Sequence, residues 1–187
     1  MDIKILIAAH KPYWMPSDDV YLPLQVGAEG KPSFGYTRDN TGDNISSKNP
    51  NYCELTGLYW AWKNLDCEYI GLCHYRRYFG KKTHTKDIEK KKEAIFHRED
   101  YERLLKKYDV ILPKKRNYYI ETVRSQYEHA HYKKDLDETE RIIAEKYPGY
   151  SDAFTTVMNR RKLHILNMFA MKKSLFDEYC TWLFDIL

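Results

Sequence analysis

The sequence predicts an α/β fold with a mainly parallel sheet flanked by helices. Two continuous apolar runs, Ile3–Ala9 and 69–73, have the length and composition of buried parallel strands. Segments with helical spacing alternate with apolar runs along the chain, as in α/β proteins. A chain of 187 residues is also the usual size of one domain with one core. We therefore predict a single domain over residues 1–187.

The predicted elements start with the strand Ile3–Ala9, which ends at His10, and a second short strand, 21–26. Several glycines then introduce a long loop that continues through residues 39–44, Asp-Asn-Thr-Gly-Asp-Asn. Long polar loops are uncommon in compact domains unless they bind a ligand. This loop is therefore a candidate for ligand binding.

A helix is predicted over residues 49–64, with Asn49 as its N-cap, because Pro50 suits the first helical position. Glu54 lies at the edge of its buried face, where the carboxylate either favours the helix dipole or has a functional role. Helical spacing predicts the members of that face: Leu55, Leu58, Tyr59 and Trp62.

The strand 69–73 ends in His74-Tyr75-Arg76-Arg77-Tyr78. The rest of the chain predicts helices 99–107, 120–131, 135–146 and 151–160, strands 109–112 and 163–171, and a last helix capped by Ser174. That last helix reaches Leu187 without a terminating residue, which predicts a chain truncated at its carboxyl end.

The net charge of +4 is unevenly distributed, with lysines dense in residues 81–92 and cations again at 114–116. This pattern favours a phosphate-bearing ligand, an acidic membrane surface or nucleic acid, and the alternative, typical of most such runs, is a solvated lysine-rich face. Aromatic residues make up 15% of the chain and include 17 tyrosines, which suits clefts that stack on bases or sugars as well as ordinary packing.

The four cysteines form no C-x-x-C pair and no regular spacing, which indicates reduced and mostly buried thiols. The apolar run near the amino terminus is too short to span a membrane and has no signal-peptide cleavage site. We therefore predict a cytoplasmic protein.

Arg76 and Arg77 are the strongest candidates for anion binding, because guanidinium forks match phosphate oxygens and ligands of open α/β sheets bind beyond the carboxyl ends of strands. The alternative is that at least one of them forms a structural ion pair with Glu54 or with an aspartate of the nearby loop. The sequence contains neither a Walker loop nor G-x-G-x-x-G. Histidine pairs such as His129 and His131 lack a third spaced ligand, so we assign no metal site.

Several long blocks of unusual composition run along nearly the whole chain: 39–46 (DNTGDNIS), 52–56 (YCELT), 59–64 (YWAWKN), 71–79 (GLCHYRRYF), 167–169 (NMF), 171–173 (MKK), 176–180 (FDEYC) and 182–184 (WLF). In these blocks the sequence resembles the bacterial family labelled domain of unknown function 4422. Members of that family are commonly described as capsular or exopolysaccharide glycosyltransferases.

The resemblance implies a GT-A-like fold of the Rossmann type, with the nucleotide near the first strand and the sugar diphosphate beside a later strand end. In many GT-A enzymes that later strand ends in Asp-x-Asp, which holds a divalent metal on the diphosphate. His74-Tyr75-Arg76 stands at what looks like the same place. The resemblance therefore suggests that arginines neutralise the departing diphosphate, and it leaves a Mn²⁺ or Mg²⁺ cofactor open.

On this basis we assign donor and diphosphate binding to residues that follow the two strands and to the polar loop: His10, Lys11, Asp39, Asn40, Asp43, Asn44, His74, Tyr75, Arg76 and Arg77. The catalytic base is assigned to Asp135, in a stretch that resembles another block of the family, with Glu54 and Asp152 as further candidates. The alternative for Asp135 is a helix N-cap before Leu136.

The resulting hypothesis is transfer of a hexose, with galactofuranose as one option, from a nucleotide-diphosphate sugar to a saccharide or lipid-linked acceptor in capsular or exopolysaccharide synthesis. One alternative is a non-catalytic module that binds a nucleotide or a glycan. Another is a nucleic-acid-binding protein, but no such motif is recognisable, so nucleic acid is not a predicted partner. The lysines of residues 81–92 are a candidate contact with the anionic inner membrane.

Overall fold

A computed structural model describes residues 1–187 and confirms the α/β fold. The strands are, in chain order, β1 (Ile3–Ala9), β2 (Tyr21–Gln25), β3 (Thr37–Arg38), β4 (Tyr69–His74), β5 (Val110–Ile111), β6 (Arg116–Asn117), β7 (Lys162–Leu163) and β8 (Phe169–Lys172). The α-helices are α1 (Asn49–Tyr52), α2 (Leu55–Asn64), α3 (Ile88–Glu93), α4 (Arg98–Leu105), α5 (Val123–Ala130), α6 (Lys133–Lys146), α7 (Ser151–Met158) and α8 (Lys173–Ile186). No helix is both long enough and apolar enough to cross a membrane.

Six strands form one sheet in the order β3-β2-β1-β4-β8-β5. The first four are parallel, and β8 runs antiparallel to both β4 and β5. The register sets Ile3 opposite Tyr69 and Ala8 opposite His74, which confirms that β1 and β4 are adjacent and parallel. Because parallel strands end at the same edge of a sheet, the residues that follow β1 and β4 come together there.

The chain divides into two compact units. The first comprises residues 1–112 and 167–181 and contains the six-stranded sheet. The second comprises residues 113–166 and 182–187 and contains the β6–β7 pair with α5, α6 and α7. The single domain over residues 1–187 stays a prediction.

The apolar composition of β1 follows from its central position, since β1 has a hydrogen-bonded strand on each side and six of its seven residues are buried. Gln25 of β2 is fully buried but satisfied: its Nε2 donates to Pro32 O and its Oε1 accepts from Phe34 N. Burial of Gln25 therefore leaves no unpaired polar group at this position of the sheet.

The predicted helix 49–64 is wrong, because it is interrupted. The α1 helix ends at Tyr52, Cys53 adopts a left-handed φ of 48°, and α2 begins at Leu55. Asn49 is not the N-cap; its side-chain amide donates to Cys53 O at 2.7 Å and to Thr56 Oγ1 at 3.2 Å. Asn49 thus bridges the interruption.

The predicted buried face of this helix is only partly right. Leu58 is buried, whereas the other three residues of the predicted face are half-buried. Gly57 faces the sheet so closely that an added Cβ would lie 2.8 Å from Val26 Cγ1 and 2.9 Å from Leu24 Cδ2. The helix therefore packs through a small residue, and its buried face is centred elsewhere: Thr56, Gly57, Leu58, Trp60 and Ala61.

Other boundaries also differ from the prediction. The predicted strand 163–171 is wrong, because two separate strands, β7 and β8, stand in its place. Leu166 and Asn167 lie between them with φ values of 80° and 50°. Asp135 is not an N-cap, since α6 begins at Lys133 and its N-cap is Tyr132. The remaining predicted helices exist with shifted ends, and α3 was not predicted.

The cysteines agree with the expectation of reduced and mostly buried thiols. Cys67, Cys73 and Cys180 are free and buried, and Cys53 is free and exposed. Burial raises the pKa of Cys73 to about 12. This thiol is consequently a packing residue in the core.

Candidate functional site

A cleft of about 360 Å³ opens where β1 and β4 end, and we call it the strand-end cleft. It brings together six of the predicted site residues, and the other lining residues come from β1, the segment after β2 and the interrupted helix. The lining is His10, Glu54, His74, Tyr75, Arg76 and Arg77 with Ala8, Val26, Asn49 and Cys53.

A tight turn presents the cationic residues at this cleft. His74 N donates to Arg77 O at 3.1 Å, and Arg77 N donates to His74 O at 2.8 Å. Tyr75 N donates to Ala8 O at 3.2 Å, which ties the turn to the end of β1. The backbone that carries both arginines is therefore fixed by hydrogen bonds to the sheet before any ligand binds.

Tyr75 is the centre of this cluster. Its side chain is buried, and its ring packs edge-on against His10 and Tyr13, each with 5.1 Å between ring centroids. The Arg76 guanidinium carbon lies 5.0 Å from the Tyr75 ring centroid, and Lys11 Nζ lies 5.8 Å from it. Both distances are within the range of cation–π attraction. Tyr75 therefore positions cations that follow β1 and β4.

Arg76 and Arg77 are exposed, and neither guanidinium takes part in an ion pair with a carboxylate. The alternative that one of them is held by a structural ion pair is therefore wrong. Two cations on a fixed turn, without a protein counter-ion and at the end of a central parallel strand, create a positive site with hydrogen-bond donors for an anion.

Glu54 faces the same cleft but does not pair with the arginines. Its Oε1 accepts from Asn167 Nδ2 at 2.9 Å, and its backbone carbonyl accepts from Gly57 N and Leu58 N. The carboxylate is thus oriented by an amide and keeps its capacity to accept a proton or a hydrogen bond from a ligand. Sequence reasoning missed Asn167 as a site residue because no local pattern signals a left-handed asparagine between two strands.

The polar loop is tied to the fold instead of lining the strand-end cleft. Asp39 is fully buried and accepts four hydrogen bonds: from Gly27 N and Ala28 N, and from the hydroxyls of Ser46 and Thr56. Gly27 has a φ of 60°, and a Cβ there would meet the Asn49 side chain at 2.3 Å. Asp39 therefore fixes the segment between Val26 and Ala28, part of which borders the cleft.

The other predicted residues of this loop also make local contacts. Asn40 Nδ2 donates to Glu29 Oε2 at 3.3 Å, and Asp43 Oδ1 accepts from the Tyr59 hydroxyl at 3.3 Å. Asn44 Oδ1 accepts from Ser46 N at 3.2 Å. None of the three lines the strand-end cleft, so their assignment to donor binding stays a prediction.

Asp135 and Asp152 belong to the second unit and are exposed. Asp135 lies in the first turn of α6, where a carboxylate favours the helix dipole. The strand-end cleft is built from the first unit. The catalytic assignment of Asp135 stays a prediction.

The comparisons with known proteins agree with the resemblance of the sequence blocks. Residues 4–187 match the model of a family described as Domain of unknown function (DUF4422). The chain is similar to the apo structure of the bifunctional glycosyltransferase WbbM, with a TM-score of 0.90 and 33% sequence identity. The match covers 100% of this chain and 36% of the WbbM chain, so this chain spans about a third of the length of that protein. No curated protein matches the chain.

Proposed function

The chain belongs to the DUF4422 family, and on that premise we propose that it transfers a sugar from a nucleotide-diphosphate sugar to a saccharide or lipid-linked acceptor. The observation that carries the proposal is the pair of unpaired guanidinium groups, Arg76 and Arg77, at the end of β4 in the strand-end cleft. The similarity to a bifunctional glycosyltransferase over the whole of this chain supports it.

The proposed reaction exchanges one bond at the anomeric carbon of the donor. The acceptor hydroxyl oxygen forms a bond to that carbon, while the bond from the carbon to the diphosphate oxygen breaks and its electron pair leaves with the diphosphate. The hydroxyl proton goes to a carboxylate base. Arg76 and Arg77 stabilise the negative charge that develops on the departing diphosphate, because their forks can each bind two phosphate oxygens. Their fixed turn avoids reorganisation during the reaction.

Glu54 is the proposed base within the strand-end cleft. Asn167 Nδ2 donates to its carboxylate at 2.9 Å, and no lysine or arginine forms an ion pair with it. Asp135 remains a second proposed base, on the family resemblance alone. A base role for either residue applies to an inverting reaction.

The residues of the cleft do not fit a divalent metal. Glu54 is the one carboxylate of the lining, beside two guanidinium groups, and hard cations such as Mg²⁺ need several oxygen ligands. No group of three or more His, Cys, Asp and Glu side chains has the arrangement of a metal site. We therefore assign charge neutralisation to the arginines and derive no step through Mn²⁺ or Mg²⁺.

The finer parts of the proposal concern the donor sugar and the product. A hexose donor, galactofuranose among the options, and a role in capsular or exopolysaccharide synthesis in the cytoplasm follow from the family resemblance. The choice of donor sugar depends on the shape of the cleft, and a donor screen examines it directly.

Peripheral contact with an anionic membrane is a further part of the proposal. In the second unit, six cations around β6 and β7 have no carboxylate partner: Lys114, Lys115, Arg116, Arg160, Arg161 and Lys162. Tyr119 and Ile120 beside them are 75% and 87% exposed. Each cation near an anionic bilayer contributes about 1 kcal/mol. Flotation with phosphatidylglycerol vesicles should therefore weaken for Lys115→Glu with Arg161→Glu and stay unchanged for Lys31→Glu, an exposed lysine outside this group and outside the candidate segment 81–92.

A thermal-shift screen of nucleotide-diphosphate sugars, each with and without Mn²⁺, tests the proposed function. At a ligand concentration of about 100 times Kd, binding adds roughly 2.7 kcal/mol to the stability of the folded state, which is a clear rise in Tm. We expect one donor class to stabilise the wild type with or without Mn²⁺ and not to stabilise the variant with both Arg76→Ala and Arg77→Ala. Binding of a donor without release of nucleoside diphosphate when a saccharide acceptor is added would indicate a non-catalytic binding module, and no stabilisation by any donor would contradict the proposal.

A further inference from the structure

A second cavity of about 550 Å³ lies in the first unit and shares Tyr75 and Arg76 with the strand-end cleft. We call it the aromatic groove. The residues that distinguish it are three aromatic rings and three lysines: Tyr13, Trp14, Tyr78, Lys81, Lys91 and Lys92. Because Arg76 belongs to both linings, a molecule in the groove meets the same guanidinium as a diphosphate in the cleft.

Two of the three aromatic rings of the groove, Tyr13 and Trp14, are exposed, whereas Tyr78 is half-buried. Tyr13 and Trp14 are 48% and 40% exposed. Tyr13 N donates to the Tyr36 hydroxyl at 3.1 Å, and that hydroxyl donates to Tyr13 O at 2.9 Å. The Trp14 ring packs edge-on against Tyr78 with 6.2 Å between centroids. Lys92 Nζ lies over one face of the Trp14 ring, 4.8 Å from its centroid. The exposed surface that remains on Trp14 and Tyr13 suits stacking against the apolar face of a sugar ring.

The lysines of the groove differ in their partners. Lys81 Nζ lies 2.9 Å from Asp100 Oδ2, and Lys92 Nζ lies 2.8 Å from Glu89 Oε1. Lys91 is exposed and has no carboxylate partner. Lys91 and Arg76 are thus two cations of the groove with no protein counter-ion, which favours an anionic group on the ligand.

We propose that the aromatic groove binds the glycosyl acceptor, a saccharide carried on a phosphate, with its sugar ring stacked on Trp14 and its phosphate at Lys91. This inference rests on the proposed function. An acceptor hydroxyl must reach the anomeric carbon, which is joined to the diphosphate that Arg76 binds. A groove that shares Arg76 with the strand-end cleft meets this requirement, because it brings the acceptor beside the reacting bond.

Binding of two synthetic probes tests the inference. One is N-acetylglucosamine joined to octyl diphosphate, and the other is the neutral octyl glycoside of the same sugar. Titration followed by ¹⁵N NMR of the Trp14 indole N–H measures their binding to the intact chain, and Trp14→Phe identifies that resonance. We expect the diphosphate probe to shift the Trp14 signal and to bind more tightly than the neutral probe.

The variants separate stacking from charge. Trp14→Ala should weaken binding of the diphosphate probe by at least about fivefold, as loss of aromatic stacking does, and Trp14→Phe should weaken it by less. Lys91→Ala should remove most of the preference for the diphosphate probe, whereas Lys90→Ala, on the same helix but outside the groove, should keep it. Calorimetry measures these affinities.

Two results would overturn the inference: failure of the wild type to bind the diphosphate probe, or equal affinity of wild type, Trp14→Ala and Lys91→Ala. Stabilisation by a nucleotide-diphosphate sugar in the same preparations reports on the strand-end cleft. If the chain binds the donor but the groove variants bind the probe like the wild type, the proposed function stands and this inference is wrong.

Discussion

Replacement of Asp39 by Asn should destabilise the fold, because the carboxylate is fully buried and both its oxygens are occupied. Oδ2 accepts from Gly27 N at 2.7 Å, and Oδ1 accepts from Ala28 N at 2.9 Å. In either orientation, an Asn side chain points its NH₂ group at one of these backbone N–H groups, which cannot rotate away. The Ser46 and Thr56 hydroxyls can turn to accept from the new NH₂, so they limit the loss.

The expected cost follows from one unsatisfied buried N–H and from weaker bonds to a neutral acceptor. Each contributes about 1–3 kcal/mol, so Asp39→Asn should lose roughly 3 kcal/mol of unfolding free energy. For a chain of this length, about 2–4 °C of Tm corresponds to each kcal/mol, which predicts a Tm lower by roughly 6–12 °C. Calorimetry or circular dichroism at fixed pH measures the shift.

Asp43→Asn is the matched control. Asp43 is exposed, and its carboxylate accepts one long hydrogen bond from the Tyr59 hydroxyl, so its replacement should change stability by less than about 0.5 kcal/mol. If Asp39→Asn kept the wild-type Tm and instead abolished donor binding, Asp39 would be a ligand residue, and the structural interpretation of the loop would be refuted.

Three further predictions concern packing, thiol reactivity and the base. Gly71→Ala should cost at least about 2 kcal/mol, because its Cβ would lie 2.6 Å from a backbone oxygen of β8, whereas Gly149→Ala meets nothing within 4 Å and should be neutral in urea unfolding. At pH 8, Ellman's reagent should label the exposed Cys53 alone in the folded chain, since burial raises the pKa of Cys73 to about 12. Rapid labelling of more than one cysteine would contradict this prediction. Glu54→Gln should lower the transfer rate by about 10²–10⁴ at unchanged donor affinity, and an unchanged rate would move the search to other carboxylates.

The sequence predicted the centre of the sheet because β1 and β4 are buried on both sides, and burial of this kind leaves a continuous apolar run. The sequence also indicated the cationic end of β4, since Arg76 and Arg77 directly follow a buried strand and packing of that strand does not require them. Whether these arginines have carboxylate partners depends on the tertiary structure, and no local sequence pattern shows it.

The interrupted helix and the loop were beyond sequence reasoning for a physical reason. Cys53 takes a left-handed conformation because Asn49 and Thr56 satisfy the backbone there through contacts across the interruption. In the sequence Asp39 resembles a ligand-binding residue of a polar loop, but in the structure it is buried and accepts hydrogen bonds from the backbone N–H groups of Gly27 and Ala28. Side-chain hydrogen bonds, local at Cys53 and long-range at Asp39, decide both outcomes, and neither helical periodicity nor turn composition encodes them.

The release of nucleoside diphosphate by Arg76→Ala and Arg77→Ala in the presence of a saccharide acceptor, with and without EDTA, tests the central claim most directly. The donor is the one found by thermal shift, and Arg160→Ala, an exposed arginine of the second unit, is the control. If the guanidinium groups stabilise the departing diphosphate, at least one alanine variant should lose about 3 kcal/mol of transition-state stabilisation, or roughly a hundredfold in rate. Lysine at the same position should restore only part of the rate, since it supplies charge without the fork. The wild type should keep most of its activity in EDTA, whereas full activity of both alanine variants together with complete loss of wild-type activity in EDTA would contradict the account.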